Sequence, residues 1–257
     1  MKTFFKAVAI AFSMFSKIPV PTVSWDKTSM RYSMAFFPLV GAVISVILYG
    51  LYLILGLWGL ASGFSAALAV FVSVWITGGI HIDGYCDTVD ALSSHKDKEE
   101  KLRIMKDSHV GAFALIYTVM LMLLQYGAWN QIFTEAKYIW LVLISFVLSR
   151  SLGGLAVVYF PCAKEDGLAS MFAGSAAKKP IKIAMIIYIL LCASAMLWVD
   201  ILIGGITLVI VMAVFMYFYI MSNKQFGGIT GDLIGFNVQL CETAVLLTAA
   251  VAGGILK

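Results

Sequence analysis

Asp83, Asp87 and Asp90 stand four and three residues apart in the run Gly78-Gly-Ile-His-Ile-Asp-Gly-Tyr-Cys-Asp-Thr-Val-Asp, directly after an almost wholly apolar stretch. On a helix this spacing places all three carboxylates within roughly 60° of one another on one face. Carboxylates at the end of a membrane segment are costly to place and usually serve a metal, a proton path or a substrate. A hard cation such as magnesium takes carboxylate oxygens, keeps several waters and leaves positions for substrate phosphates. Carboxylates one turn apart also suit two ions about 3.5–4 Å apart, the arrangement used for in-line phosphoryl transfer. Gly84 lets a ligand or a second helix approach the backbone beside Asp83. The bland alternative is a polar helix end facing water, and three carboxylates on one stripe argue against it.

Other polar residues add to this stripe. Lys101, Arg103 and Lys106 form a basic run suited to phosphate, with Asp107 a further carboxylate just before the next apolar segment. The same run also reads as a topology-setting loop. Arg150, between Ser149 and Ser151, lies inside an apolar segment, where an arginine is paired, substrate-facing or snorkelling. The glycine-rich run Gly227-Gly-Ile-Thr-Gly-Asp contains Thr230 and Asp232 and leads into Asn237, Gln239 and Glu242. Glycines before a helix present N–H groups to a phosphate, or simply form a flexible loop. His81, His95 and His109 are the only histidines and have no metal-ligand spacing. His81 points away from the aspartate face and is a hydrogen-bonding neighbour. Cys86, Cys162, Cys192 and Cys241 show no paired spacing, which predicts neither disulfides nor a zinc site.

These residues must be positioned by membrane helices. The chain is 61% hydrophobic and 12% charged, with mean hydropathy +0.96, against about 25% charged in soluble domains. At ~20 apolar residues per span, the sequence predicts seven spans, near 36–58, 62–80, 112–130, 138–160, 181–199, 202–221 and 236–256. The N-terminal stretch to Phe15 predicts an amphipathic helix lying in the interface. The fold class is therefore all-α, a polytopic transmembrane bundle forming one domain over residues 1–257.

Lysine and arginine are strongly biased to one side. That side receives Lys2, Lys6, Lys17, Lys27, Arg31, the basic residues of 96–106, Lys164, Lys178, Lys179, Lys182 and Lys224. The other has Lys137 and Lys257. The bias predicts a cytoplasmic N-terminus in the inner membrane of a prokaryote. Every polar cluster then falls on the cytoplasmic side, within 81–109, 161–180 and 223–242. The scattered basic residues make no nucleic-acid stripe.

The run from Gly79 to Leu92 resembles the signature of the cobalamin synthase (adenosylcobinamide-GDP ribazoletransferase) family. The resemblance covers most of the chain. It includes Lys17-Ile-Pro-Val-Pro, Phe37-Pro-Leu-Val-Gly, Arg103-Ile-Met-Lys-Asp-Ser-His-Val-Gly-Ala-Phe, Arg150, Asp166-Gly167 and Gly228-Ile-Thr-Gly-Asp-Leu-Ile-Gly. The chain departs from the family's common pattern at Tyr85-Cys86, Lys17 and Gln239, which leaves Asp232 and Glu242 as candidates in the last segment.

The resemblance implies that a ribose hydroxyl of alpha-ribazole, or of its 5'-phosphate, attacks the cobinamide-side phosphate of adenosylcobinamide-GDP and releases GMP. It implies a magnesium requirement. Asp83, Asp87, Asp90 and Asp107 would hold the metal. His81, Arg103, Lys106, Arg150, Thr230, Asn237 and Glu242 would bind substrate, and Asp90 or Asp232 would accept the hydroxyl proton. A homo-oligomer is compatible with this reading. Two alternatives remain at this stage. A CDP-alcohol phosphotransferase also places aspartates at a helix end, but its Asp-Gly-x2-Ala-Arg pattern is absent. A cation- or proton-coupled transporter is disfavoured by the one-sided polar loops.

Overall fold

The computed structural model describes residues 2–107, 109–164 and 167–256, and contains no strand among them. Ser108 and Asp166, which carry part of the resemblance, lie outside the described residues, as does Lys257.

Helix α1 (Lys2–Phe15) buries Ala7, Ile10 and Ala11 and leaves Phe4 and Phe5 exposed. It is the short amphipathic element expected at the N-terminus. Lys6 reaches Asp26 at 3.0 Å, and Asp26 caps α2 (Lys27–Ser33) by accepting the Ser29 N–H. A single 3₁₀ turn joins α2 to α3 (Phe37–Leu57), so one apolar stretch runs from Thr28 to Leu57.

The second predicted span does not run straight into the aspartates. Helix α4 ends at Thr77, and Gly78 and Gly79 adopt left-handed φ values of 67° and 80°. Only glycine takes this pair of conformations without strain. The chain bends by 92° into α5 (Ile80–Ser93), which carries the three aspartates. The Lys17 N–H donates to the freed Ile76 carbonyl at 2.7 Å, and the Lys17 side chain covers Gly78. The span over 62–80 thus becomes α4 (Ser62–Thr77) plus a separate crossing helix.

Helix α6 (Lys98–Ile104), capped by Asp97, follows α5. Then come α7 (Ala112–Thr134), α8 (Ile139–Tyr159), the short α9 (Leu168–Ser175), α10 (Lys178–Val199), α11 (Ile201–Phe226) and α12 (Gly231–Ile255). Among the described residues six helices are long and apolar enough to cross a membrane, and the bent α4–α5 pair would make a seventh if it is one span.

The last span begins at Gly231, not near 236. The Thr230 hydroxyl accepts the Leu233 N–H and starts the helix early. The polar residues of α12 do not delay it because several find partners inside the bundle. Gln125 of α7 donates to Gln239 at 3.0 Å and to Thr243 at 2.9 Å.

Burial ranks the helices. The apolar stretch of α8 is 83% buried and that of α12 61%, against 22–28% for those of α3, α7, α10 and α11. Helices α8 and α12 therefore form the core, and the others ring them with large apolar side chains outward, such as Leu123, Leu190 and Val209. Outward apolar faces are what a lipid-facing bundle requires.

Candidate active site

The site forms where α5 crosses the start of α12. Gly84 faces the α12 backbone so closely that an added Cβ would lie 2.5 Å from the Asp232 carbonyl oxygen. Gly84 therefore admits a helix rather than a ligand, and that contact brings Asp232 up to the aspartate stripe. The charged groups acting on Asp87 are Asp83, Asp232 and Asp90, so the four carboxylates form one electrostatic unit. Gly84→Ala is expected to push α5 off α12, costing about 1–3 kcal/mol of stability by overpacking. Turnover and thermal unfolding in detergent would register it, and a variant matching the parent in both would show that the crossing has slack.

The loop before α12 is locked in place by backbone pairing. Ile229 and Cys162 form a short parallel bridge, with the Ile229 N–H donating to Pro161 at 2.8 Å and the Ala163 N–H to Ile229 at 2.9 Å. The clustered glycines thus end α11 and shape this junction. The pairing draws Lys164 toward Asp232, on which its ammonium acts. Lys164 also donates to the Leu102 carbonyl at 2.8 Å, tying α6 to the same corner.

Two cavities meet at Asp232. A cleft of ≈ 130 Å³ carries Lys106, Lys164, Thr230 and Gly231 along its wall. The first amides of α12 open at this cleft, and helix N-termini attract anions. A second cavity of ≈ 270 Å³ is mostly apolar, with Phe15, Phe37 and Phe172 in its wall and Asp83, Asp232 and His81 as its ionisable groups. His81 borders the same cavity as Asp83 even though helical phase separates them, because the cavity spans the start of α5.

The remaining candidates are placed as follows. Asp90 lies against Gly111, where any added Cβ would overlap its carboxylate. Arg103 is exposed and pairs with Glu100 at 2.9 Å. Asp107 is also exposed, and the His109 N–H and imidazole hold its carboxyl below the usual range. It is not among the charges acting on Asp87. Asn237 is fully buried in α12. Arg150 is fully buried and pairs with Glu242 at 2.6 Å, so it does not snorkel. Ser149 also donates to Glu242, at 2.9 Å. Neither Arg150 nor Glu242 borders either cavity at Asp232. Arg150 instead stands behind the aromatic cavity, its guanidinium 5.9 Å from the Phe37 ring.

Sequence reasoning missed Lys164, Gly111 and the aromatic wall. Lys164 had a detectable signal as a lysine two residues before a resembling Asp-Gly pair. Phe37 opens the resembling run Phe37-Pro-Leu-Val-Gly, whereas Phe15 and Phe172 had no signal, since aromatic residues are abundant throughout so apolar a chain.

Among the described residues no three carboxylate, histidine or cysteine side chains converge on one point as a preformed ion cage. Four mutually repelling carboxylates still suit a hard cation that takes one or two protein oxygens and completes its shell with water and phosphate. Cys162 is half-buried and its thiol is pushed up by burial, against a thiolate role.

Fold and site together define a polytopic helical membrane protein with an acidic centre set between a cationic cleft and an aromatic cavity. The family model described as cobalamin-5-phosphate synthase matches residues 7–250. The chain belongs to that family. An adenosylcobinamide-GDP ribazoletransferase of Lachnoclostridium phytofermentans is 40% identical over 247 residues, covering 96% of this chain and 94% of that protein. Proteins of the same name from Clostridium botulinum and a Geobacillus species are each 32% identical. They cover 98% and 95% of this chain, and 99% and 94% of their own lengths. No solved structure matches.

Proposed function

We propose that the protein joins adenosylcobinamide-GDP to alpha-ribazole or alpha-ribazole 5'-phosphate, releasing GMP and forming adenosylcobalamin or its 5'-phosphate. Its relatives carry the name of this activity. The observation that carries the reading is the position of Asp232, shared between a lysine-lined cleft and an apolar cavity. A transfer between two substrates needs such a meeting point.

In this reading the donor pyrophosphate lies in the cleft, held by Lys106, Lys164 and the first amides of α12. The acceptor lies in the cavity with its hydroxyl toward Asp232. The hydroxyl oxygen bonds to the cobinamide-side phosphorus, the bond from that phosphorus to the GMP oxygen breaks, and Asp232 takes the hydroxyl proton. Asp90, against Gly111, lines neither cavity, which favours Asp232 as the base. Positioning and charge neutralisation dominate chemistry of this kind.

Magnesium is the cofactor we propose for the acidic cluster, with Asp83 and Asp87 as its principal ligands and Asp90 beside them. When bound it would neutralise pyrophosphate charge. The lysine and arginine bias of the loops supports placing this end of the bundle on the cytoplasmic side of a prokaryotic membrane.

The test is direct. Purified protein with magnesium, adenosylcobinamide-GDP and alpha-ribazole is expected to release GMP in step with adenosylcobalamin formation. Absence of GMP release would sink the reading.

A further inference from the structure

We propose that the aromatic cavity is the acceptor's base site, taking the fused bicyclic azole of the ribazole while the corrin and the guanine stay outside it. This rests on the transferase reading above and deepens it.

Three parts of the two substrates compete for a cavity of ≈ 270 Å³. The corrin carries a fringe of polar amides and is far larger than the space. Guanine is flat, but its edge donors and acceptors need polar partners, and unpaired polar groups are costly to bury. The dimethylated benzimidazole is both flat and apolar. Its faces suit aromatic neighbours and its methyl groups suit the methionines of the same wall, Met14 and Met34.

Phe15 packs directly on Phe37, so the rings form one contiguous aromatic wall. The Phe15 ring lies 4.2 Å from Phe37 and 6.1 Å from Phe172, tilted by 38° and 35°. Phe37 and Phe172 are almost wholly buried, which holds them in place. The cavity's acidic end is formed by Asp83 and Asp232. A base seated among the rings therefore directs its ribose toward Asp232, where the lysine cleft begins. His81 adds a polar element to the wall. Its Nε2 is buried and has no hydrogen-bond partner among the described residues.

The wall also draws on three separate parts of the chain. Phe15 comes from the interfacial α1, Phe37 from the start of α3 and Phe172 from α9. The N-terminal helix is therefore part of the acceptor site as well as a membrane contact.

Free 5,6-dimethylbenzimidazole tests this on the unmodified protein, with GMP release as the readout. It is expected to inhibit competitively against alpha-ribazole and not against adenosylcobinamide-GDP. Phe172→Ala is expected to raise the KM for alpha-ribazole roughly tenfold or more, with the KM for adenosylcobinamide-GDP within about twofold of the parent. Phe172→Leu keeps more of the packing and should show a smaller shift of the same selectivity if the alanine variant does not fold. Competition against adenosylcobinamide-GDP, or equal shifts in both KM values, would overturn the base site while leaving the transferase reading intact. No GMP release from the parent protein would remove that reading and the base site with it.

Discussion

Asp87→Asn is expected to lower GMP release by at least about a hundredfold while leaving the protein no less stable than the parent. The two effects come from the same geometry. Asp87 is partly buried on α5, with Asp83, Asp90 and Asp232 acting on it as like charges. Asparagine keeps the shape and removes one charge, so repulsion within the group falls. The same change removes a hard oxygen donor from the proposed metal site, and loss of one electrostatic contact to a transition state costs about 10²–10³ in rate. Thermal unfolding in detergent separates the effects. Magnesium should raise the melting temperature of the parent, since a ligand of the folded state stabilises it, and should raise that of the variant far less. Near-parental turnover with an unchanged magnesium response would remove Asp87 from the site.

The second large effect is expected away from the chemistry. Arg150 and Glu242 pair at 2.6 Å with side chains 1% and 11% exposed. Arg150→Ala leaves the Glu242 carboxylate buried without its cation and opens a void behind Phe37. Breaking a buried pair in this way costs about 3–5 kcal/mol. The double variant Arg150→Met with Glu242→Met removes both charges and fills the volume, and it should recover most of the loss. Thermal unfolding of the three variants gives the answer. If the single and double variants are equally unstable, the pair is not what holds α8 to α12. Since the guanidinium also lies 5.9 Å from the Phe37 ring, Arg150→Ala should weaken alpha-ribazole binding more than donor binding, in keeping with a positioning role.

Much of this architecture is legible in local residue patterns. Five of the predicted spans agree with observed helices within a few residues at most ends, because a span is set by hydropathy over ~20 consecutive residues. The spacing of Asp83, Asp87 and Asp90 predicts a shared helical face, and α5 is a helix over all three. The errors lie where backbone geometry or a distant partner overrides the local pattern. Hydropathy runs on through Gly78 and Gly79, yet their left-handed conformations turn the chain by 92°. Gln239 and Glu242 read as a reason to start α12 late. Gln125 and Arg150, more than ninety residues away in sequence, remove that reason by pairing with them.

The order of residues alone determined that this is a helical membrane bundle with an acidic stripe and basic loops at one end, since hydropathy, helical period and charge bias are properties of short windows. Only the tertiary structure decided which groups face one another. It brought Asp232 to the stripe through the bare face of Gly84, committed Arg150 to Glu242, and gathered Phe15, Phe37 and Phe172 from three helices around one cavity. Helices in lipid are held by close steric fit and a few buried polar pairs. That fit is a relation between distant surfaces, and no window of so uniformly apolar a sequence contains both of them.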